Sequence, residues 1–257
     1  MKTDIQNFIH TDDWITQSIL WNLCYLRGEC GDDRFKGVET PPHGNLINSI
    51  VELNKIDEKL YKNKKTCAIV GNSSILIEKE YGQEIDDHDV VIRCNLGRTT
   101  GFEKHTGSKT TFRFIAAKSF TRAELLSHSE YDFNFLPSLN GEHFFIRYDA
   151  GNTMSLIGGM VNNYKGNNNI HYLNSDFISK CDELKNGYSS IGYISVIFAT
   201  QLFENVSLYG FNFFKEEVEN SHYFEKVREG TTAGHNFDSE ENIILQLQDN
   251  DTVKIYR

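Results

Sequence analysis

An α/β fold with a mostly parallel central sheet flanked by helices is predicted by three observations. First, the apolar runs Ala68 to Val70, Val90 to Ile92 and Val206 to Tyr209 are short and nearly continuous. Strands covered on both faces read this way, whereas half-exposed strands alternate. Second, the stretch Tyr193 to Leu202 has the apolar content and length of a buried helix and leads directly into a strand. Third, the first two runs each end in a small or polar group carrying an asparagine, Asn72 and Asn95. Polar side chains are thereby delivered to one edge of the sheet, where open α/β sheets bind their ligands.

Composition narrows the function classes. A chain of 257 residues with 39% apolar content can build one sizeable core, and the prior favours one α/β domain with appended elements. The formal net charge of −10 argues against a nucleic-acid backbone as partner. An anionic ligand therefore needs a local site. No run of about 18 apolar residues occurs, and the start, MKTDIQNFIHTDDW, lacks an apolar stretch flanked by basic residues, so neither a membrane span nor a secretory leader is expected. Peripheral membrane association remains open. The five cysteines, Cys24, Cys30, Cys67, Cys94 and Cys181, are scattered and include no CxxC pair. That usage suits buried thiols in a reducing compartment, and a cytoplasmic location is expected.

In chain order, residues 1–60 read as a helical extension on the main domain, which occupies 61–257. Trp14, Ile15, Ile19, Leu20, Leu23 and Leu26 recur at helical spacing, and Leu46, Ile47, Ile50, Val51, Leu53 and Ile56 do so after Pro41-Pro42-His43-Gly44. The first strand begins near Thr66. The turn Gly71-Asn72-Ser73-Ser74 leads from it into Ile75-Leu76-Ile77, as in a strand, loop and helix unit whose N–H groups receive a phosphate or sugar. It lacks both the GxGxxG of dinucleotide folds and the lysine of a P-loop. Asp86-Asp87-His88-Asp89 has metal-ligating types, but its place just before a strand favours side chains bonding loop backbone. Thr110 to Phe114 is the expected third strand, after a surface loop over Leu96 to Lys109. Short apolar runs at Phe144 to Ile146, Leu156-Ile157 and Ile170 to Leu173 follow. Loops in this middle region are the expected place for acceptor recognition.

Further on, Ser189-Ser190 reads as a helix N-terminus offering N–H groups and hydroxyls to an anion. Two histidines, His222 and His235, flank a glycine- and threonine-rich segment, Gly230 to Gly234. Histidines beside a mobile segment are candidates for proton transfer. A helical stretch at Ile243 to Leu247 and a final strand near Val253 to Tyr256 complete the pattern. Asp249-Asn250-Asp251 lies in the turn between them and reads as structural.

These pieces resemble the eukaryotic-type sialyltransferases, whose four sialylmotifs appear in order over residues 67 to 240. Cys67 to Phe114 resembles the large motif, most plainly in Cys-Ala-Ile-Val-Gly-Asn-Ser, in Glu84 to Asp89 and in Gly107-Ser108-Lys109-Thr110-Thr111. Ser189-Ser190-Ile191-Gly192 through Tyr209-Gly210-Phe211 resembles the small motif. His222-Tyr223-Phe224-Glu225 resembles the third, and His235 with Glu240 has the His-x4-Glu spacing of the very small motif.

The resemblance implies a GT-A-like single domain and an inverting, metal-independent transfer of sialic acid from CMP-sialic acid to a glycan hydroxyl. By motif position Asn72, Ser73 and Asn95 would bind CMP, with Tyr188, Ser190, Gly192 and Phe211 closing on cytidine and ribose. His222 and Tyr223 would meet the leaving phosphate, and His235 would be the general base. Glu240 would anchor the last helix. No cofactor other than the CMP-sugar donor is implied. The family's inter-motif disulfide would pair Cys67 with a position held here by Phe203, and the family's membrane anchor has no counterpart. Both departures imply a reduced, cytosolic relative, bacterial or viral, for which capsular polysaccharide or lipooligosaccharide is an acceptor class. Two other readings stand beside this one: transfer of another CMP-activated ulosonic acid such as Kdo, and a non-catalytic nucleotide- or glycan-binding module.

Overall fold

The computed structural model describes residues 56–116, 142–147, 170–173, 175–213, 222–224 and 235–257. Most of the expected N-terminal extension, the Leu156-Ile157 run and the glycine-rich segment before His235 lie outside them. Among the described residues seven strands form one sheet: β1 (Thr66–Val70), β2 (Val90–Cys94), β3 (Phe112–Ala116), β4 (His143–Arg147), β5 (Ile170–Tyr172), β6 (Asn205–Tyr209) and β7 (Val253–Tyr256). Their order is β5-β4-β3-β2-β1-β6-β7, and every neighbouring pair is parallel. The expected parallel α/β sheet is therefore observed.

The register explains the continuous apolar runs. In β1, Cys67 and Ile69 point into one core with Ile92, Phe114, Leu208 and the helix Ile191–Leu202 (α4). Ala68 and Val70 point into the other, with Leu76, Ile85, Val91 and Tyr209. All four are almost fully buried, and each buried aliphatic side chain of valine or isoleucine size contributes about 1.5–3 kcal/mol. Phe112, Phe114 and Phe145 meet Phe198 of α4 with centroids 4.9–6.4 Å apart, fixing that helix over the sheet.

Further helices complete the layers: α1 (Gly82–Asp86) and α2 (Glu103–Thr106) on the β1–β2 and β2–β3 connections, α3 (Ser175–Lys185) beside α4, and α5 (Phe237–Asp249) beside α3. Several bounds differ from the sequence reading. β3 starts two residues later than expected, because Thr110 and Thr111 use their hydroxyls to accept from Arg93 Nε at 2.9 Å and Val91 N at 3.2 Å. The expected helix after Gly71 to Ser74 is only a five-residue 3-10 turn, Ser74–Glu78, capped by the Ser73 hydroxyl. The Leu96 to Lys109 loop contains α2, and α5 starts six residues before Ile243 because Asn236 caps it, accepting from Ser239 N at 3.2 Å.

β1 is the point where the strand order reverses. Strands β2 to β5 add on one side, and the chain then returns to lay β6 on the other. The crevice outside the carboxyl ends of β1 and β6 is thus the topological switch point, where sheets of this kind bind ligands.

Candidate active site

At that crevice the backbones approach closely. A Cβ added to Gly71 would lie 2.4 Å from the Gly210 carbonyl oxygen, and Gly210 itself has φ +73°. Ser73 N donates to Gly210 O at 3.3 Å, so the turn after β1 is strapped to the end of β6. The third-motif segment joins the same place: Ser73 and His222 form an antiparallel bridge, and Tyr223 N donates to Asn72 O at 2.9 Å. Asn72, Ser73, His222 and Tyr223 are therefore brought together across 150 residues of sequence.

Asn95 belongs to this cluster. Asn72 Nδ2 donates to Cys94 O at 3.1 Å, just before Asn95, while Asn72 Oδ1 is buried without a protein donor. Asn95 has φ +49°, a left-handed conformation that asparagine tolerates well, and its Oδ1 accepts from Ala116 N at 3.0 Å. The loop it opens is held by Arg113, whose Nη1 donates to the carbonyls of Asn95 at 2.9 Å and Gly97 at 3.1 Å. Arg113 is in turn paired with Glu142 at 2.8 Å, both nearly buried. Tyr223 is 7% exposed and donates its hydroxyl to Arg98 O. Burial pushes that phenol up to about 12, against the opposing pull of Arg93 and Arg113. Its hydroxyl is thus engaged with the loop between β2 and β3. His222 stacks on Phe224, centroids 5.4 Å apart.

The second cluster is built on the starts of α4 and α5. Each helix feeds a parallel strand through a short connection, so each runs against the strands and turns its N-terminus to the carboxyl edge of the sheet. Ser190 caps α4, accepting from Tyr193 N at 3.1 Å. Gly192 lets Phe211 approach: a Cβ there would sit 3.1 Å from the Phe211 ring, and one on Gly71 3.3 Å from it. Phe211 consequently touches both clusters' scaffolds. His235 immediately precedes the α5 cap, stacks on Phe237 at 5.1 Å and meets the Tyr188 ring edge-on at 5.3 Å. Its Nδ1 is buried without a partner. Burial pulls the imidazole below its ordinary range; Glu240 opposes this, while Lys185 and Arg147 add to it.

Glu240 is the hub of that cluster. Its carboxylate accepts from Lys185 Nζ at 2.5 Å, Ser190 N at 2.7 Å and Ser190 Oγ at 2.5 Å. Glu240 and Lys185 are both buried, so α3, α5 and the start of α4 share one desolvated ion pair. This agrees with the expected anchoring role of Glu240.

The acidic turn is scaffold. Asp86 accepts from Ser108 N, Ser108 Oγ and Lys109 N at 2.9–3.0 Å, and Asp89 accepts from Lys65 N at 2.9 Å and Thr66 N at 3.1 Å. Asp86 would be raised by burial, but these bonds win and hold it below the usual carboxylate range. Asp249 closes α5, and the N–H groups of Asn250 and Asp251 donate to its last turn. Among the described cysteines, Cys67, Cys94 and Cys181 are free and buried, and Phe203 sits in the same core as Cys67.

Sequence reasoning missed Arg113, Glu142, Arg147, Asp182 and Lys185. The available signal was an arginine inside each of two apolar strands, Phe112–Ala116 and His143–Arg147. A charge there is costly unless paired, so a partner and a purpose could have been sought.

Residues 32–252 match glycosyltransferase family 29 (sialyltransferase). The chain is 31% identical over 203 residues to CMP-N-acetylneuraminate-beta-galactosamide-alpha-2,3-sialyltransferase 1 of Gallus gallus, covering 75% of this chain and 58% of that protein. It is 28% identical over 236 residues to the Homo sapiens protein of the same name, covering 83% and 67%. Its fold resembles that of a mammalian sialyltransferase crystal structure, with a TM-score of 0.62 at 24% identity over 98% of this chain and 90% of that one. The chain belongs to glycosyltransferase family 29, the sialyltransferases.

Proposed function

We propose that this chain transfers sialic acid from CMP-sialic acid to a glycan hydroxyl, with inversion at the anomeric carbon and without a metal ion. One observation carries the reading: the switch-point crevice of a family 29 chain gathers Asn72, Ser73, Asn95 and His222 at one end of the sheet, while the starts of α4 and α5 bring Tyr188, Ser190 and His235 to the same edge. The fold is read as GT-A-like.

The CMP part lies against Asn72, Ser73 and Asn95, with Ser190, Gly192 and Phe211 on its other side. The free lone pairs of Asn72 Oδ1 offer an acceptor for a ribose hydroxyl or cytosine amine. As the bond from the anomeric carbon to the phosphate oxygen breaks, its electron pair goes to the phosphate, which gains a charge. Donors suited to that charge are His222 and the positive end of α4. The acceptor oxygen attacks the opposite face of the carbon, and its proton goes to His235. A neutral imidazole is needed for that, and the downward pull of burial on His235 keeps it neutral at pH 7. Tyr223 supports this arrangement through the Arg98 carbonyl and through its backbone link to Asn72.

Three free, buried thiols among the described residues support a reducing, cytoplasmic compartment. Among the described residues no helix is long and apolar enough to cross a membrane.

The test is transfer of isotope-labelled sialic acid from CMP-sialic acid to a galactoside, read by mass, with CMP-Kdo as a competing donor. Product from CMP-sialic acid in the presence of EDTA supports the reading. Product only from CMP-Kdo would replace the donor, and restoration of activity by magnesium or manganese after EDTA would overturn metal independence.

A further inference from the structure

We propose that Arg147 is a positioning residue for the transfer: by stacking on Tyr188 and bonding the Ser189 carbonyl, it fixes the loop that holds Tyr188 against His235. The proposal rests on the proposed role of His235 as the base.

Arg147 is the last residue of β4, so its side chain leaves the carboxyl end of the sheet beside the start of α4. It is buried, at 3% exposure. Its guanidinium carbon lies 3.6 Å from the centroid of the Tyr188 ring. Nη1 donates to Ser189 O, and Nη2 donates to Asp182 Oδ2 at 3.2 Å. The other oxygen of Asp182 accepts from Ser189 N at 2.8 Å. Both backbone groups of Ser189 are therefore gripped by one ion pair. The residue on one side, Tyr188, has the guanidinium 3.6 Å from its ring centroid and the His235 ring centroid 5.3 Å away; the residue on the other, Ser190, caps α4 and binds Glu240.

The loop needs such a clamp. Asn186 and Gly187 before it have φ +54° and +151°, and Tyr188 is 39% exposed, so little burial holds the ring in place. A planar guanidinium can stack on a ring and bond a carbonyl and a carboxylate at once, which an ammonium cannot do. The clamp also carries charge to the base. The groups facing His235 are Arg147 from β4, Lys185 from α3, Glu240 from α5 and Tyr188 from the loop. The two cations disfavour the imidazolium, while Glu240 and a hydrogen bond with the Tyr188 backbone favour it.

Two variants separate positioning from folding. Arg147→Lys keeps the charge but loses the stack and the fork. Arg147→Met with Asp182→Asn removes the ion pair without leaving an orphan carboxylate. The His235 imidazole is followed by NMR titration, assigned by the signal missing in His235→Gln, and kcat and KM are measured on protein whose melting temperature and CMP binding are recorded. The expected result is a drop in kcat of about tenfold in Arg147→Lys, with CMP affinity within about twofold of wild type. In the double variant the His235 titration should shift, because a nearby cation has gone and the Tyr188 backbone group that bonds the imidazole is no longer held. An unchanged His235 titration in the double variant, or wild-type kcat in Arg147→Lys, would overturn the proposal. Should the wild-type chain bind CMP yet transfer nothing, the functional reading fails, and the imidazole titration still decides whether Arg147 acts on His235.

Discussion

His235 and Asn72 show how two ordinary side chains acquire a role from their surroundings. His235 lies ahead of a helix start, against two aromatic rings, and its imidazolium is disfavoured by burial and by two nearby cations. His235→Ala should lower kcat by about 100-fold or more while leaving CMP affinity nearly unchanged; comparison of single-turnover rates with CMP binding checks this. The pH profile follows with a definite sign. A folded-state pKa below the ordinary value of about 6.5 keeps the base unprotonated into mildly acidic solution, so the acid limb of kcat/KM, which reports the free enzyme, should fall below that value. An acid limb above pH 7 would contradict it. Stability shows the same linkage. His235 and His143, both lowered by burial, take up protons more readily in the unfolded chain, so stability is full above about pH 6.5 and is lost as the pH falls below it. Thermal melts from pH 8 to 5 measure that loss.

Among the elements, the crevice depends on close backbone contact between the ends of β1 and β6. Gly71→Ala would place a methyl group 2.4 Å from the Gly210 carbonyl oxygen, where only backbone movement can relieve it. Destabilisation of about 1–3 kcal/mol and weaker CMP binding are expected, checked by denaturant melts and calorimetry. The helix starts depend on one buried ion pair. Lys185→Met leaves the Glu240 carboxylate buried with only Ser190 as a donor and should cost about 3–5 kcal/mol, whereas Lys185→Met with Glu240→Gln should recover part of it. Much of this scale was legible in the sequence. The buried strands announced themselves as continuous apolar runs, Ser190 as a cap and β7 at its observed bounds. The helix α3 did not, because Ser175–Lys185 is largely polar and, beside the few apolar residues Phe177, Ile178 and Cys181 on its core side, its hold on the fold comes from Lys185 and Asp182, whose partners Glu240 and Arg147 are distant in sequence. Arg113 and Glu142 escaped for the same reason: a pairing across 29 residues leaves no local pattern. The role of the acidic turn was legible, since a carboxylate just before a strand commonly bonds backbone.

At the scale of the molecule, motifs spread from Cys67 to Glu240 converge because the strand order reverses at β1. The first motif supplies β1 and β2, the second supplies α4 and β6, and the third is strapped to the turn after β1 through His222 and Tyr223. The last motif enters through α5, whose Glu240 is bonded to the start of α4. The sheet thus makes one site out of four separated stretches, with a free Cys67 and Phe203 in one core, the two positions that the family's disulfide would join. The central claim is that this site transfers sialic acid and that His235 takes the acceptor's proton. The most direct measurement is single-turnover transfer from labelled CMP-sialic acid to a galactoside in EDTA, by wild type and His235→Ala matched for CMP binding. The account predicts sialylated product with wild type and a rate about 100-fold or more lower with the variant; equal rates, or no sialylated product from a wild-type chain that binds CMP, would contradict it.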